Sequence, residues 1–205
     1  MKVLFVTNNS NVYDLIEWIN NSTKDDVLLY KDKLTEDIFR KISPEIVVSF
    51  GYRYIIKKNI LDLLPQRFIN LHISLLPWNR GADPNIWSFL EDTPKGVSIH
   101  IIDEGVDTGP ILLKKEIHFD LKNETLASSY NILQCEIINL FKENWTDIKK
   151  GNIKPIPQKG MGTVHYKKDK EKINFLLGEK GWDIPIIELK NNYKNFILKK
   201  NEYSR

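Results

Sequence analysis

Residues 2–21, KVLFVTNNSNVYDLIEWINN, change character twice within one short stretch. The first six, KVLFVT, are β-rich and lack polar alternation, the pattern of a strand buried on both faces of a parallel sheet. A polar turn, NNSN, follows. Val12, Leu15, Ile16 and Ile19 then fall close to helical spacing. The same exchange of texture repeats downstream. VLLY (27–30) reads as a second strand, and TEDIFRKIS (35–43) as a short helix opened by a Thr cap and early acids. PEIVVSFG (44–51) gives a third strand ended by Gly51, and IIKKNILDLL (55–64) a helix stopped by Pro65. FINLH (68–72) is a fourth strand. VSIHIID (97–103) and ILLKKEIHF (111–119) are two more, joined across a Gly-containing bend.

The order βαβαβαβ followed by further strands predicts an α/β fold, a Rossmann-like, mostly parallel sheet flanked by helices. Residues 124–149 carry a long helical pattern suited to covering one face. Beyond Gly151, Pro155, Pro157, Gly160 and Gly162 break regularity, and the Lys-rich remainder shows no strong period. The expected organisation is therefore a catalytic domain over 1–150 and a short C-terminal tail or small cap over 151–205.

The 205 residues are 41% hydrophobic and 28% charged, which is ordinary globular composition. A chain of this length buries roughly 70% of its unfolded surface, so no metal or disulfide staple is needed. The net charge of +3 is too small to argue for nucleic acid, and the C-terminal lysines read as a solvated surface. One cysteine, Cys135, excludes intramolecular disulfides; its apolar helical context predicts a buried, inert thiol. The first apolar run is too short for a signal peptide or membrane span. A soluble cytoplasmic protein with neither membrane nor nucleic-acid partner is expected.

Ligands of open α/β sheets gather beyond the carboxyl ends of strands. Three polar clusters fall there: NNSN, NLHIS and DEGVDTGP. Residues two apart in a strand share a face, so Asn70 and His72 project together. An amide donor beside an imidazole suits addition to a carbonyl: one stabilises an oxyanion, the other exchanges a proton. Asp107, in the later bend, is placed to orient the imidazole or a water. A lone strand-end His is more often structural, and Ser74 lies outside any strand–elbow motif. His72, His100, His118 and His165 share no ligand spacing, so no metal is expected.

In combination these residues are more telling. NLHISLLPWNRG (70–81) followed by WSFLEDTPKGVSIHIIDEGVDTGPIL (87–112) resembles the folate-dependent formyltransferases. That family includes glycinamide ribonucleotide, methionyl-tRNA and nucleotide-sugar N-formyltransferases. The likeness is tight over about residues 45–120 and looser over 1–150. It implies N10-formyltetrahydrofolate as formyl donor and a primary amine as acceptor. It implies that Asn70 and His72 stabilise a tetrahedral oxyanion while Asp107 supports His72 and, through water, proton transfer. The folate ring would lie against backbone in GYRYII and DEGV, which makes Tyr54, Ile56, Asp103 and Val106 the expected lining residues. Core packing is the plain alternative for Tyr54 and Ile56. Asn8, Asn9, Trp78 and Arg80 are the acceptor-side candidates; Arg80 serves equally as a structural tie, and Trp78 and Trp87 as core aromatics.

For the acceptor, TNNSN lacks the Gly-rich loop that glycinamide ribonucleotide enzymes use for phosphate. About 55 residues after Gly151 are too few for the β-barrel of the tRNA enzyme. RGADPNIWSF and DTPKGVSIHIIDEGVDTG look more like the sugar-modifying branch. The expected acceptor is a nucleotide-linked amino sugar of the 4-amino-4,6-dideoxyhexose type, formylated for surface polysaccharide or a nonulosonic acid precursor. The alternatives are glycinamide ribonucleotide formylation, formyltetrahydrofolate hydrolysis and a non-catalytic binding module; a homodimer is left open.

Overall fold

The computed structural model describes residues 1–10 and 12–202. In chain order the elements are β1 (Lys2–Val6), α1 (Tyr13–Thr23), β2 (Asp26–Tyr30), α2 (Glu36–Ile42), β3 (Ile46–Ser49), α3 (Lys58–Leu61) and β4 (Phe68–His72). They continue with β5 (Arg80–Gly81), α4 (Pro84–Leu90), β6 (Gly96–Ile101), β7 (Ile111–Glu116) and α5 (Leu126–Lys150). After α5 come β8 (Val164–His165), α6 (Lys167–Glu171), a kinked 3₁₀ segment (Asn174–Asp183) and α7 (Ile186–Glu202).

Six strands form one sheet in the order β2-β1-β3-β4-β6-β7. β2, β1, β3 and β4 run parallel, and β6 pairs antiparallel with β4. The mostly parallel α/β architecture read from the sequence is thus present. Because β1 lies between β2 and β3, successive crossovers leave in opposite directions, which opens a crevice at the strands' carboxyl ends.

The contacts group the chain into two compact units. The first comprises Met1–His72, Ser98–Lys114 and Ile137–Lys159. Its central strands β1, β3 and β4 are largely buried, with alternate residues serving opposite covered faces, whereas the edge strand β2 is partly exposed. Leu4, Val6, Val47 and Phe68 pack on one side with Leu34, Phe39, Ile56 and Ile60. Helix α2 begins as its sequence predicts: the Thr35 side chain accepts a hydrogen bond from Ile38 N at 3.3 Å, and Glu36 and Asp37 occupy the first turn. Thr35→Ala is expected to cost about 1 kcal/mol of unfolding free energy, read from urea denaturation midpoints. Helix α3 is shorter than its apolar pattern suggests. Lys57 is extended, with ψ 154°, and the turns after Leu61 close through i→i+3 bonds such as Leu64 N to Leu61 O. Pro65 truncates the pattern early.

Asp25, 5% exposed, collects the charges of this unit. It accepts from the Met1 ammonium at 3.0 Å, Thr23 Oγ1 at 2.7 Å, Trp145 Nε1 at 2.8 Å and Lys149 Nζ at 2.8 Å. Burial pushes its carboxyl up, but the bonds from Lys149, Thr23, the N-terminus and Trp145 together outweigh that. They hold it well below the usual carboxylate range. Arg67 secures the same end of α5, donating to the carbonyls of Lys149 at 2.8 Å and Ile148 at 3.4 Å.

The second unit comprises Ile73–Val97, Lys115–Glu136 and the chain from Gly160 onward. Here the structure departs from the sequence reading. RGADPNIWSF, to which the sequence reading assigned no helix or strand, contains one: Pro84–Leu90 is a helix with Pro in its first turn and all seven residues buried. A helix buried all round shows no amphipathic stripe, which hides it from periodicity. The lysine-rich end also holds regular structure. Ile186, Leu189, Tyr193 and Phe196 keep helical spacing along α7 and pack with Ile86, Phe89 and Leu176. Cys135 corrects another expectation. It is exposed, because it sits two residues from buried Leu133 and Ile137 on the opposite side of α5. Among the described residues no helix is long and apolar enough to cross a membrane.

Candidate active site

β4 delivers Asn70 and His72 to one face, and β6 returns beside it with Asn70 opposite His100 and His72 opposite Ser98. The bend after β6 then brings Asp107 back to the pair. Asn70 Nδ2 lies 3.2 Å from Asp107 Oδ1 and 3.2 Å from His100 Nε2. His100 Nε2 lies 3.3 Å from Asp107 Oδ1, and His72 Nδ1 lies 3.7 Å from Asp107 Oδ2. His72 is 7% exposed and His100 is 2% exposed. These groups converge on one carboxylate with little water around them, so their mutual electrostatics are strong.

The hydrogen-bond chemistry orders this cluster. His100 Nδ1 sits 2.8 Å from Ile101 O. A carbonyl only accepts, so Nδ1 carries the hydrogen. In the neutral ring Nε2 is then an acceptor facing a second acceptor, the Asp107 carboxylate. The Asn70 amide nitrogen satisfies both.

Asp107 itself adopts a left-handed backbone, φ 50°. A non-glycine residue held there costs about 1 kcal/mol, a cost met at sites where geometry matters. The bend is tied from within: Asp103 Oδ1 accepts from Gly105 N at 3.1 Å and from Thr108 Oγ1 at 2.7 Å. At Gly109 a Cβ would lie 1.8 Å from Ile101 O, so the bend's return demands glycine.

The other sequence candidates fall out variously. The amide of Asn8 is committed to the fold: Nδ2 donates to Lys31 O at 2.9 Å, and Oδ1 accepts from Arg53 N at 3.0 Å. The Asn9 side chain covers Gly51. Ile56 is 5% exposed in the core, whereas its neighbour Ile55, which the sequence reading passed over, is 77% exposed. Tyr54, Asp103 and Val106 are half-buried. The carboxylate of Asp103 is spent on its own bend, which leaves backbone as what that segment presents. Among the described residues the backbone of Tyr54, Ile55 and Ile56 makes no hydrogen bond, so its donors and acceptors remain available. A cavity of about 400 Å³ lies beside the bend, lined by Lys58, Leu61, Phe68, Ile102, Asp103 and Gly105 among others. Apolar and charged side chains share its walls with the backbone of the bend.

Trp78 and Arg80 belong to the second unit. Ser74 Oγ donates to Trp78 O at 2.9 Å and so closes the turn after β4. Arg80 N donates to Thr163 O at 2.9 Å within the β5–β8 pair. One residue of the cluster, His100, was not singled out as a site residue from sequence. His100 stands in the quoted GVSIH, but its role depends on the antiparallel register, which nothing local encodes.

A family model described as formyl transferase matches residues 6–140. The chain belongs to the formyl transferase family. Among solved structures, the formyltransferase PseJ from Anoxybacillus kamchatkensis is 44% identical with a TM-score of 0.85, covering 92% of this chain and 97% of that one. That structure is in complex with UDP-4,6-dideoxy-4-formamido-L-AltNAc and tetrahydrofolate. A methionyl-tRNA formyltransferase from Thermodesulfovibrio yellowstonii is 40% identical over 157 residues, covering 72% of this chain and 50% of that one. A likely sugar N-formyltransferase from Mycobacterium tuberculosis, 23% identical with a TM-score of 0.74 over 84% of this chain and 78% of that one, shares the fold. The chain spans half or less of the length of the first curated relatives it matches. The family match covers β4, β6 and the Asp107 bend.

Proposed function

We propose that this chain transfers a formyl group from N10-formyltetrahydrofolate to the primary amine of a nucleotide-linked 4-amino-4,6-dideoxyhexose. The observation that carries the reading is the 44% identity, over nearly the whole of both chains, to a formyltransferase bound to a 4-formamido sugar nucleotide and tetrahydrofolate. The cluster of Asn70, His72 and Asp107 supports the chemistry.

When bound, the folate co-substrate supplies the formyl carbon and departs as tetrahydrofolate. The chain's own groups handle charge and protons. One Asn70 N–H directed between His100 Nε2 and Asp107 Oδ1 serves both acceptors, and the second is available to the developing oxyanion. His72, turned by its Nδ1 toward Asp107, presents Nε2 to the reacting centre as the second stabilising group. Asp107, anionic and within reach of both imidazoles, takes the proton that the acceptor amine sheds as the new C–N bond forms, through water. The same proton returns to the leaving nitrogen. The backbone of residues 54–56 and of the 103–106 bend, with the cavity beside it, holds the pterin. Tyr54 and Val106 flank that backbone. Asn9, Trp78 and Arg80 remain the acceptor-side candidates, while Asn8 contributes by bracing the loops.

The test is a release assay for tetrahydrofolate with formyl-folate and one acceptor at a time: a UDP-linked 4-amino-4,6-dideoxyhexose, glycinamide ribonucleotide, methionyl-tRNA, or none. Turnover with the amino sugar alone is expected. Turnover confined to methionyl-tRNA or glycinamide ribonucleotide would transfer the assignment to that acceptor, and turnover without any amine would make the chain a hydrolase.

A further inference from the structure

We infer that Gln158 is the positioning residue that sets the catalytic carboxylate of Asp107. After α5 the chain doubles back, and Ile156 exchanges both backbone hydrogen bonds with Ile111, at 2.8 and 2.9 Å. Two residues on, Gln158 Nε2 donates to Asp107 O at 2.8 Å and to Gly109 O at 2.8 Å. Both hydrogens of one carboxamide are spent on two carbonyls of the catalytic bend. Fixing the Asp107 carbonyl fixes the peptide plane that follows it, and hence the ψ of a residue already at φ 50°. That backbone setting aims the side chain at Asn70, His100 and His72, which it meets at 3.2, 3.3 and 3.7 Å. On the other side, Asp103 holds Gly105 and Thr108. Gln158 therefore clamps the exit of the bend as Asp103 clamps its entry. It acts through the backbone of Asp107.

Two variants of the full chain separate positioning from mere packing. Gln158→Met keeps the length of the stem and removes both donors; Gln158→Glu keeps the shape and sets acceptors against acceptors. The primary readout is the ring resonances of the four histidines in NMR spectra at one fixed pH, which needs no substrate. His72 and His100 face Asp107, so a carboxylate that swings away alters the surroundings of both rings. Their resonances are expected to move in both variants, while those of His118 and His165 stay put. The inference rests on the formyl-transfer reading only for its second readout, in which kcat drops about 10- to 100-fold with KM for donor and acceptor nearly unchanged. A chain that turns over no acceptor at all would defeat that reading and leave the ring resonances to decide this one. Unmoved His72 and His100 resonances in both variants would overturn the inference. So would melting temperatures lowered by more than about 8 °C in both, since the glutamine would then be a tie of the fold.

Discussion

His72→Ala is expected to reduce kcat for formyl transfer by about 10²- to 10⁴-fold, the range for a group that handles protons or charge in a transition state. His72 is 7% exposed, lies at the end of β4 and turns one ring nitrogen toward Asp107 at 3.7 Å. Removing it takes away a stabilising group and leaves the Asp107 carboxylate without a cation-capable neighbour on that side. Because the lost interaction belongs to the transition state, kcat and kcat/KM fall together while KM changes little. His118→Ala provides the control: that exposed imidazole belongs to the other unit and its loss leaves turnover near that of the parent. Steady-state kinetics of the two variants settle the matter, and a His72→Ala enzyme within threefold of the parent would remove the assigned role.

The second large effect concerns stability. Asp25→Asn is expected to lower unfolding free energy by about 3 kcal/mol, because it strands the Lys149 and N-terminal cations beside a neutral amide. Trp145 and Thr23 also lose a charged acceptor. The folded carboxyl titrates well below its ordinary value, since its four donors outweigh the burial that pushes it up. A depressed folded value contributes stability that is fully present above the unfolded value, about pH 4, and fades as pH falls toward the folded one. The parent should therefore lose stability progressively below about pH 4, and Asp25→Asn should show a shallower slope there. Chemical denaturation at pH 3 and pH 6 compares the two; parallel slopes would contradict the linkage.

The alternation of textures in 2–72 was enough to read the parallel half of the sheet, because buried strands and Thr35-type caps are local signals. Asn70 and His72 were legible as a pair for the same reason: period two needs no partner. What lay beyond reach was whatever depends on distant neighbours. His100 entered the cluster through a register with β4 set 30 residues earlier in the chain. Gln158 entered through a doubling back after α5, and in a proline-broken segment nothing marks one glutamine above another. Ile55 and Ile56 are chemically the same, so only the backbone decides which one faces water. Helix α4 was lost to a different cause, its uniform burial, while α7 carried a period that its lysines diluted.

The antiparallel return of β6 beside β4 has a corollary. Asn70, His72 and His100 lie within a single ladder, and Ile73–Val97, between its paired positions, belongs to the other unit. The ladder's alignment does not depend on the length of that excursion, whereas inserting one residue inside a strand would turn the side chains beyond it, Asn70 and His72 or His100, to the wrong face. Pairing of Asn70 with His100 is in this way set apart from the segment that holds Trp78 and Arg80.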